Sequence, residues 1–162
     1  MKLYLCHLSQ RLSFKSGSVK LSPTMSQTFE KKVLELKKLF AAATPEQRYH
    51  LLIAMGRDLP PFNPDHKIPA HTVQGCQSTL YLHASFRDSK LFFSASADAL
   101  ISAGLAALLI SVYTGETPET ILKCPPTFLQ DLGIAASLSM NRSNGLAHIH
   151  LRMKQEAVKY LI

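Results

Sequence analysis

The sequence predicts an α+β domain, a small three-stranded antiparallel sheet flanked by helices, and three observations predict it. Residues 78–86 alternate strictly, with Leu80, Leu82, Ala84 and Phe86 on one face and Thr79, Tyr81, His83 and Ser85 on the other, the period of a half-buried strand. Apolar positions before and after this region instead recur at helical spacing. The run from Ala99 to Val112 is apolar except for Ser102 and Ser111; at about 14 residues it is too short for a membrane span, which needs roughly 20, and fits a helix buried against the sheet. A chain of 162 residues is expected to form one domain without a disulfide framework.

Residues 1–24 carry no helical period and no acid, and Lys2, His7, Gln10 and Arg11 break any secretory apolar run. We expect a disordered or extraneous tail, with the domain occupying residues 25–162 and Cys6 outside it. From Phe29 the pattern turns helical, with Phe29, Val33, Leu36 and Phe40 on one face and Lys31, Lys32, Lys37 and Lys38 on a solvated one. Thr44-Pro45-Glu46-Gln47 reads as a capping box with proline at the first helical position, opening a second helix to about Asp58. In that helix Tyr49, Leu52 and Ile53 form the buried stripe, and Gly56 lets another element approach closely. The prolines of residues 59–64 cannot continue a helix and make a loop.

A short strand around 70–74, the long one at 78–86, a turn at Arg87-Asp88-Ser89-Lys90 and a strand at 91–97 would complete the sheet. Asp98 is placed to cap the apolar helix, Gly104 to serve its packing and Gly115 to end it. Thr117-Pro118-Glu119 opens a short helix that stops at Cys124-Pro125-Pro126, and Thr127–Leu132 forms another turn of helix. The last helix is expected over 140–161, capped by Ser139 or Asn141, burying Leu146, Ile149, Met153, Ala157 and Tyr160. Arg142 falls in its first turn, where a cation opposes the helix dipole, so an anionic partner is expected for it.

Composition narrows the function. The net charge is +7, but Lys2, Arg11, Lys15 and Lys20 put four of those charges in residues 1–29, so the body is only mildly basic. No aromatic-plus-basic RNA motif or zinc-finger spacing accompanies it, and neither nucleic acid nor membrane is expected as a partner. Three cysteines, an odd number without CxxC spacing, argue for a reducing compartment, best matched by the bacterial cytoplasm.

The chemistry centres on Thr72-Val73-Gln74-Gly75-Cys76-Gln77-Ser78. Cys76 follows a glycine and precedes a strand, so the sheet anchors it while the loop can present it. Three readings compete. Cys76 could attack the terminal sulfur of a persulfide on a partner, a transfer that needs a nucleophile and a leaving thiolate but no metal. Arg57, His71 and Arg142 are the cations that could raise its thiolate fraction. It could instead serve a cysteine hydrolase or acyltransferase with a histidine base, although no flanking signature supports this. Or Cys76 and Cys124 with His66 or His71 could bind zinc, at spacings that match no finger or ribbon.

The order of several short segments separates these readings. Gln47-Arg48-Tyr49, Gly56-Arg57-Asp58-Leu59-Pro60, Val73 through Ser78, Ser96-Ala97-Asp98-Ala99 with Gly104-Leu105, Thr117-Pro118-Glu119, and Leu138-Ser139 through Arg142-Ser143-Asn144-Gly145-Leu146 together resemble the SufE family over about residues 30–160. The resemblance implies an α+β domain and a sulfur carrier rather than an enzyme. Cys76 matches the family's acceptor, which takes persulfide sulfur from a SufS-type cysteine desulfurase, stimulates that enzyme and passes sulfur to an iron–sulfur scaffold of the SufBCD kind. It also implies that Asp98 and Arg142 lie near the acceptor loop and help hold the cysteine inward. No metal or cofactor of the chain's own is implied, pyridoxal phosphate belonging to the desulfurase. The CsdE branch is close enough to leave the cognate desulfurase open. Residues 1–24 and the prolines after Cys124 depart from the family pattern without touching the acceptor segment.

Overall fold

The computed structural model describes residues 27–134 and 138–161. The expected tail and Cys6 lie outside them. Helix α1 (Gln27–Ala41) and helix α2 (Pro45–Arg57) come first along the described chain. The predicted capping box opens α2: the Gln47 amide donates to Thr44 Oγ1 at 3.3 Å and the Thr44 amide to Gln47 Oε1 at 2.8 Å. Strands β1 (Leu80–Arg87) and β2 (Lys90–Ala97) pair antiparallel from Leu80 opposite Ala97 to Arg87 opposite Lys90. Asp88 and Ser89, at φ 50° and 58°, make the tight turn that the right-handed twist of a hairpin favours. Leu80, Leu82, Leu91, Phe93 and Ala95 are buried on one face of it, as the alternation predicts.

Helix α3 (Leu100–Tyr113) backs this hairpin and packs most tightly on α2. Gly56 and Gly104 make that approach possible. A β-carbon on Gly104 would collide with the Leu52 carbonyl, and one on Gly56 would lie 2.6 Å from the Gly104 nitrogen. Short helices α4 (Pro118–Lys123) and α5 (Phe128–Asp131) lead to α6 (Met140–Val158), whose Leu146, Ile149, Met153 and Ala157 enter the core. Tyr160 does not; it is exposed and stacks on Phe86 at the hairpin tip, 4.4 Å between ring centroids. None of the described helices is long and apolar enough to cross a membrane.

Four further expectations are corrected. Among the described residues the sheet has two strands, not three. The segment expected as a strand at 70–74 begins in a 3₁₀ turn, Pro69–His71, and makes a single bridge, Thr72 to Tyr81, with the Val73 amide donating to Leu80 O at 2.8 Å. The Arg152 side chain donates to Ala70 O at 2.6 Å and to Thr72 O at 3.4 Å, carbonyls on the side of the segment turned away from β1. Asp98 does not cap α3: Ala99 holds that position, in extended backbone and with no side-chain cap, while the Asp98 amide donates to Thr79 O. Ser139 takes the N-cap position of α6 but makes no side-chain cap bond. Lys32 is not on a solvated face; its Nζ donates to Thr114 O at 2.6 Å and to the buried Glu116 carboxylate at 2.8 Å, tying α1 to the end of α3.

Candidate functional site

Cys76 sits at the end of a turn made by Gln74 and Gly75, just ahead of β1. Gly75 has φ +81°, a conformation that costs a side-chain-bearing residue about 1 kcal/mol or more and explains glycine before the cysteine. The turn is tied down on both sides. Upstream, Val73 is buried and hydrogen-bonded to Leu80; downstream, Ser78 Oγ donates to Ser102 Oγ of α3 at 2.7 Å.

The thiol points toward the first turns of α6. Its Sγ lies 3.9 Å from Gly145 O, a weak S–H contact, and a β-carbon on Gly145 would stand 3.8 Å from it. A cleft of about 290 Å³ opens here, lined by Cys76, Ser78, Ser102, Asn141 and Arg142 over an apolar floor of Ile101, Leu105 and Ile149. Burial pushes the Cys76 thiol above its ordinary range. That direction opposes the one expected from nearby cations. Arg57 is exposed on α2, and His71 packs in a separate histidine cluster. Arg142 lines the cleft, but it rests over the Tyr49 ring, 5.9 Å from its centroid, so an aromatic face stands where an anion was expected.

Of the three residues singled out from the sequence, Cys76 and Arg142 share this cleft. Asp98 is exposed just before Ala99, which lines it, and among the described residues neither Asp98 nor Arg142 is in an ion pair. Cys124, the other cysteine described, is buried with only 2% of its surface exposed, its carbonyl accepting from Tyr113 Oη at 2.7 Å. It fills a corner of the core. Among the described residues no group of three or more His, Cys, Asp or Glu side chains is arranged to hold a metal ion. His66, His71 and His83 do gather, but the His66 and His83 rings are stacked at 3.6 Å, which turns their nitrogens outward in near-parallel planes rather than toward one point. Nor does Cys76 pair with an imidazole: its one hydrogen-bond contact among the described residues is the Gly145 carbonyl, and the raised thiol is the reverse of a thiolate–imidazolium couple.

One residue near the thiol escaped the sequence reading. His148, one helical turn beyond Gly145, places its ring against Gly75: a β-carbon there would be 2.5 Å from His148 Nε2. No motif marks it, and its position on α6 is legible only as the third residue after a glycine that faces the thiol.

The same chain matches known proteins along most of its length. A family model described as "SufE: Fe-S metabolism associated domain" matches residues 34–157. An uncharacterized SufE-like protein of Synechocystis sp. is 36% identical over 116 residues, covering 72% of this chain and 73% of that one. The sulfur acceptor protein CsdE of Escherichia coli is 32% identical over 68% of this chain and 78% of its own length. The chloroplastic/mitochondrial SufE-like protein 1 of Arabidopsis thaliana is 33% identical over 78% of this chain, which spans only 35% of that longer protein. The solution structure of a hypothetical protein from Thermus thermophilus superimposes with a TM-score of 0.68 at 26% identity, over 80% of this chain and 96% of that one.

Proposed function

Since this chain belongs to the SufE family, we propose that it is a sulfur acceptor of Fe–S metabolism that receives persulfide sulfur on Cys76. The observation that carries the assignment is the contrast between its two described cysteines: Cys76 stands on a glycine turn at a cleft, whereas Cys124 is locked in the core.

The chemistry follows from the thiol's surroundings. Inside the cleft the protonated form is favoured, so the resting cysteine is a poor nucleophile. Once the turn swings out, the thiol loses its proton to water more readily, and the thiolate attacks the outer sulfur of a persulfide on the partner. The partner's S–S bond breaks as the Cys76 S–S bond forms; the partner cysteine leaves as thiolate, the sulfane sulfur moves at unchanged oxidation level, and no outside oxidant or reductant is consumed. The chain acts as carrier and activator, and the pyridoxal phosphate that generates the sulfur belongs to the desulfurase. The proposed partners are a SufS-type or CsdA-type desulfurase and a SufBCD-like scaffold. The two free thiols are in keeping with a reducing compartment such as the bacterial cytoplasm. Arg142 and Asp98 are assigned to positioning, Arg142 as a wall of the cleft braced by Tyr49 and Asp98 as an exposed charge beside its rim.

The test is mass spectrometry of the full chain after incubation with a cysteine desulfurase and cysteine. A mass increase of one sulfur on the peptide holding Cys76 is expected. Cys76→Ser should abolish it together with stimulation of the desulfurase, while Cys124→Ser and Cys6→Ser retain both. Loading that persists in Cys76→Ser overturns the assignment.

A further inference from the structure

Helix α6 holds two consecutive residues of the acceptor turn, by two different side-chain positions. Gly145 receives the Cys76 sulfur on its carbonyl, 3.9 Å away. Three residues later, on the same stripe of the helix, His148 fills the side-chain hemisphere of Gly75. A β-carbon built on Gly75 would lie 2.5, 2.6 and 2.7 Å from His148 Nε2, Cδ2 and Cε1. The near equality of these distances places the ring's face, not its edge, over the glycine. The His148 side chain makes no hydrogen bond or ion pair among the described residues, so packing alone joins it to the turn. The turn itself is an exposed pair, Gln74 and Gly75, that no backbone ladder holds. An outward swing of the turn that carries Cys76 with it parts Gly75 from the ring.

We propose that His148 is a positioning residue that keeps the Gly75–Cys76 turn in its inward state, so that the imidazole sets how large a fraction of molecules presents Cys76 to a persulfide donor. The proposal rests on the reading of Cys76 as sulfur acceptor. It also gives position 75 a second requirement for glycine beside its positive φ, since any side chain would displace the ring. A turn that opens more readily binds its donor with a lower apparent dissociation constant, in inverse proportion to the competent fraction, without altering the transfer step once bound.

The experiment measures carbamidomethylation of Cys76 by iodoacetamide in the full-length protein, located by peptide mass spectrometry. His148→Ala should raise the rate about fivefold, the effect expected when a minor open state gains population. The KM for the protein as substrate of the desulfurase should fall by the same factor with kcat unchanged. His148→Phe, which restores a planar ring, should return the rate toward that of the parent; a merely structural defect would not be rescued in this way. His148→Gln gives the same reading if His148→Ala fails to fold. In a double-mutant cycle, Gly75→Ala should accelerate alkylation less in the His148→Ala background than in the parent, because only the φ strain remains there. Equal alkylation rates in parent and His148→Ala, or effects of the two substitutions that simply multiply, overturn the proposal. Sulfur loading is read separately. A parent that loads on Cys76 with alkylation indifferent to His148 rejects the latch alone, whereas a parent that never loads while His148→Ala alkylates faster rejects the acceptor role and leaves the latch standing.

Discussion

At the residue scale, the state of Cys76 is decided by burial and not by the cations around it. A free thiol is already mostly protonated at neutral pH, and removing water from it penalises the thiolate further. Arg142 could have reversed this, but its guanidinium is engaged on the face of Tyr49. The free protein should therefore alkylate slowly, and its rate should rise with pH along a curve displaced above the ordinary thiol range. Unfolding in guanidinium should return that curve to the position of a free cysteine. Stopped-flow or mass-spectrometric alkylation from about pH 7 to 10, a range that brackets the ordinary thiol pKa, checks this, and a native curve lying below the unfolded one would show that the resting site activates its thiol.

The elements of the fold are joined by close approaches that small residues permit. Helix α3 crosses α2 where Gly104 meets the Leu52 carbonyl, so Gly104→Ala forces the two helices apart. Overpacking of this kind costs about 1–3 kcal/mol, offset by up to about 1 kcal/mol from the better helix propensity of alanine. Net destabilisation is expected, seen as a melting temperature several degrees lower, while Cys76 loading at room temperature is retained. Gly115→Ala, where the nearest atom to a β-carbon is 3.8 Å away, gives the comparison without a clash: its penalty comes from φ +78° alone. A second device holds the segment entering the Gly75–Cys76 turn. Arg152 occupies the Ala70 and Thr72 carbonyls and is itself paired with the buried Glu156 at 2.8 Å. The guanidinium thus anchors the segment that leads into the Gly75–Cys76 turn.

For the whole molecule, two histidines make stability depend on pH. His150 lies against Tyr113 with its Nε2 buried and unpartnered among the described residues, and burial followed by the charge of Lys154 lowers its pKa from 6.5 to about 4. His83 is also lowered, by burial first and then by the neighbouring His66 and His71, against a weaker opposing pull from Glu156. Both are bases whose folded pKa is depressed, so the unfolded chain binds the extra protons. The contribution of His150 is complete above about pH 6.5 and is lost as pH falls toward 4, and that of His83 is lost in the same direction. Melting temperature should decline over that window, and His150→Gln, which cannot titrate, should flatten the decline even though it starts from a less stable protein. An unchanged slope in that variant would show that His150 is solvated in the folded state.

Local chemistry was enough to read much of this from the sequence. The capping box at Thr44, the alternation of Leu80 and Leu82 and the apolar run of α3 were all legible, because each depends on residues within a turn or two of chain. The family was legible for the same reason, as short strings in a fixed order. What the tertiary structure alone decided lies between residues far apart in sequence. What holds residues 70 and 72 in place is Arg152, far along the chain on α6. Whether Lys32 faced water depended on Glu116, and whether Arg142 met an anion or a ring depended on Tyr49. The ionisation of Cys76 and the place of His148 against Gly75 follow from how α6 lies across the Gly75–Cys76 turn. Periodicity can say that a helix has a buried face; which distant backbone that face covers, and which polar groups are thereby cut off from water, is fixed only when the elements pack.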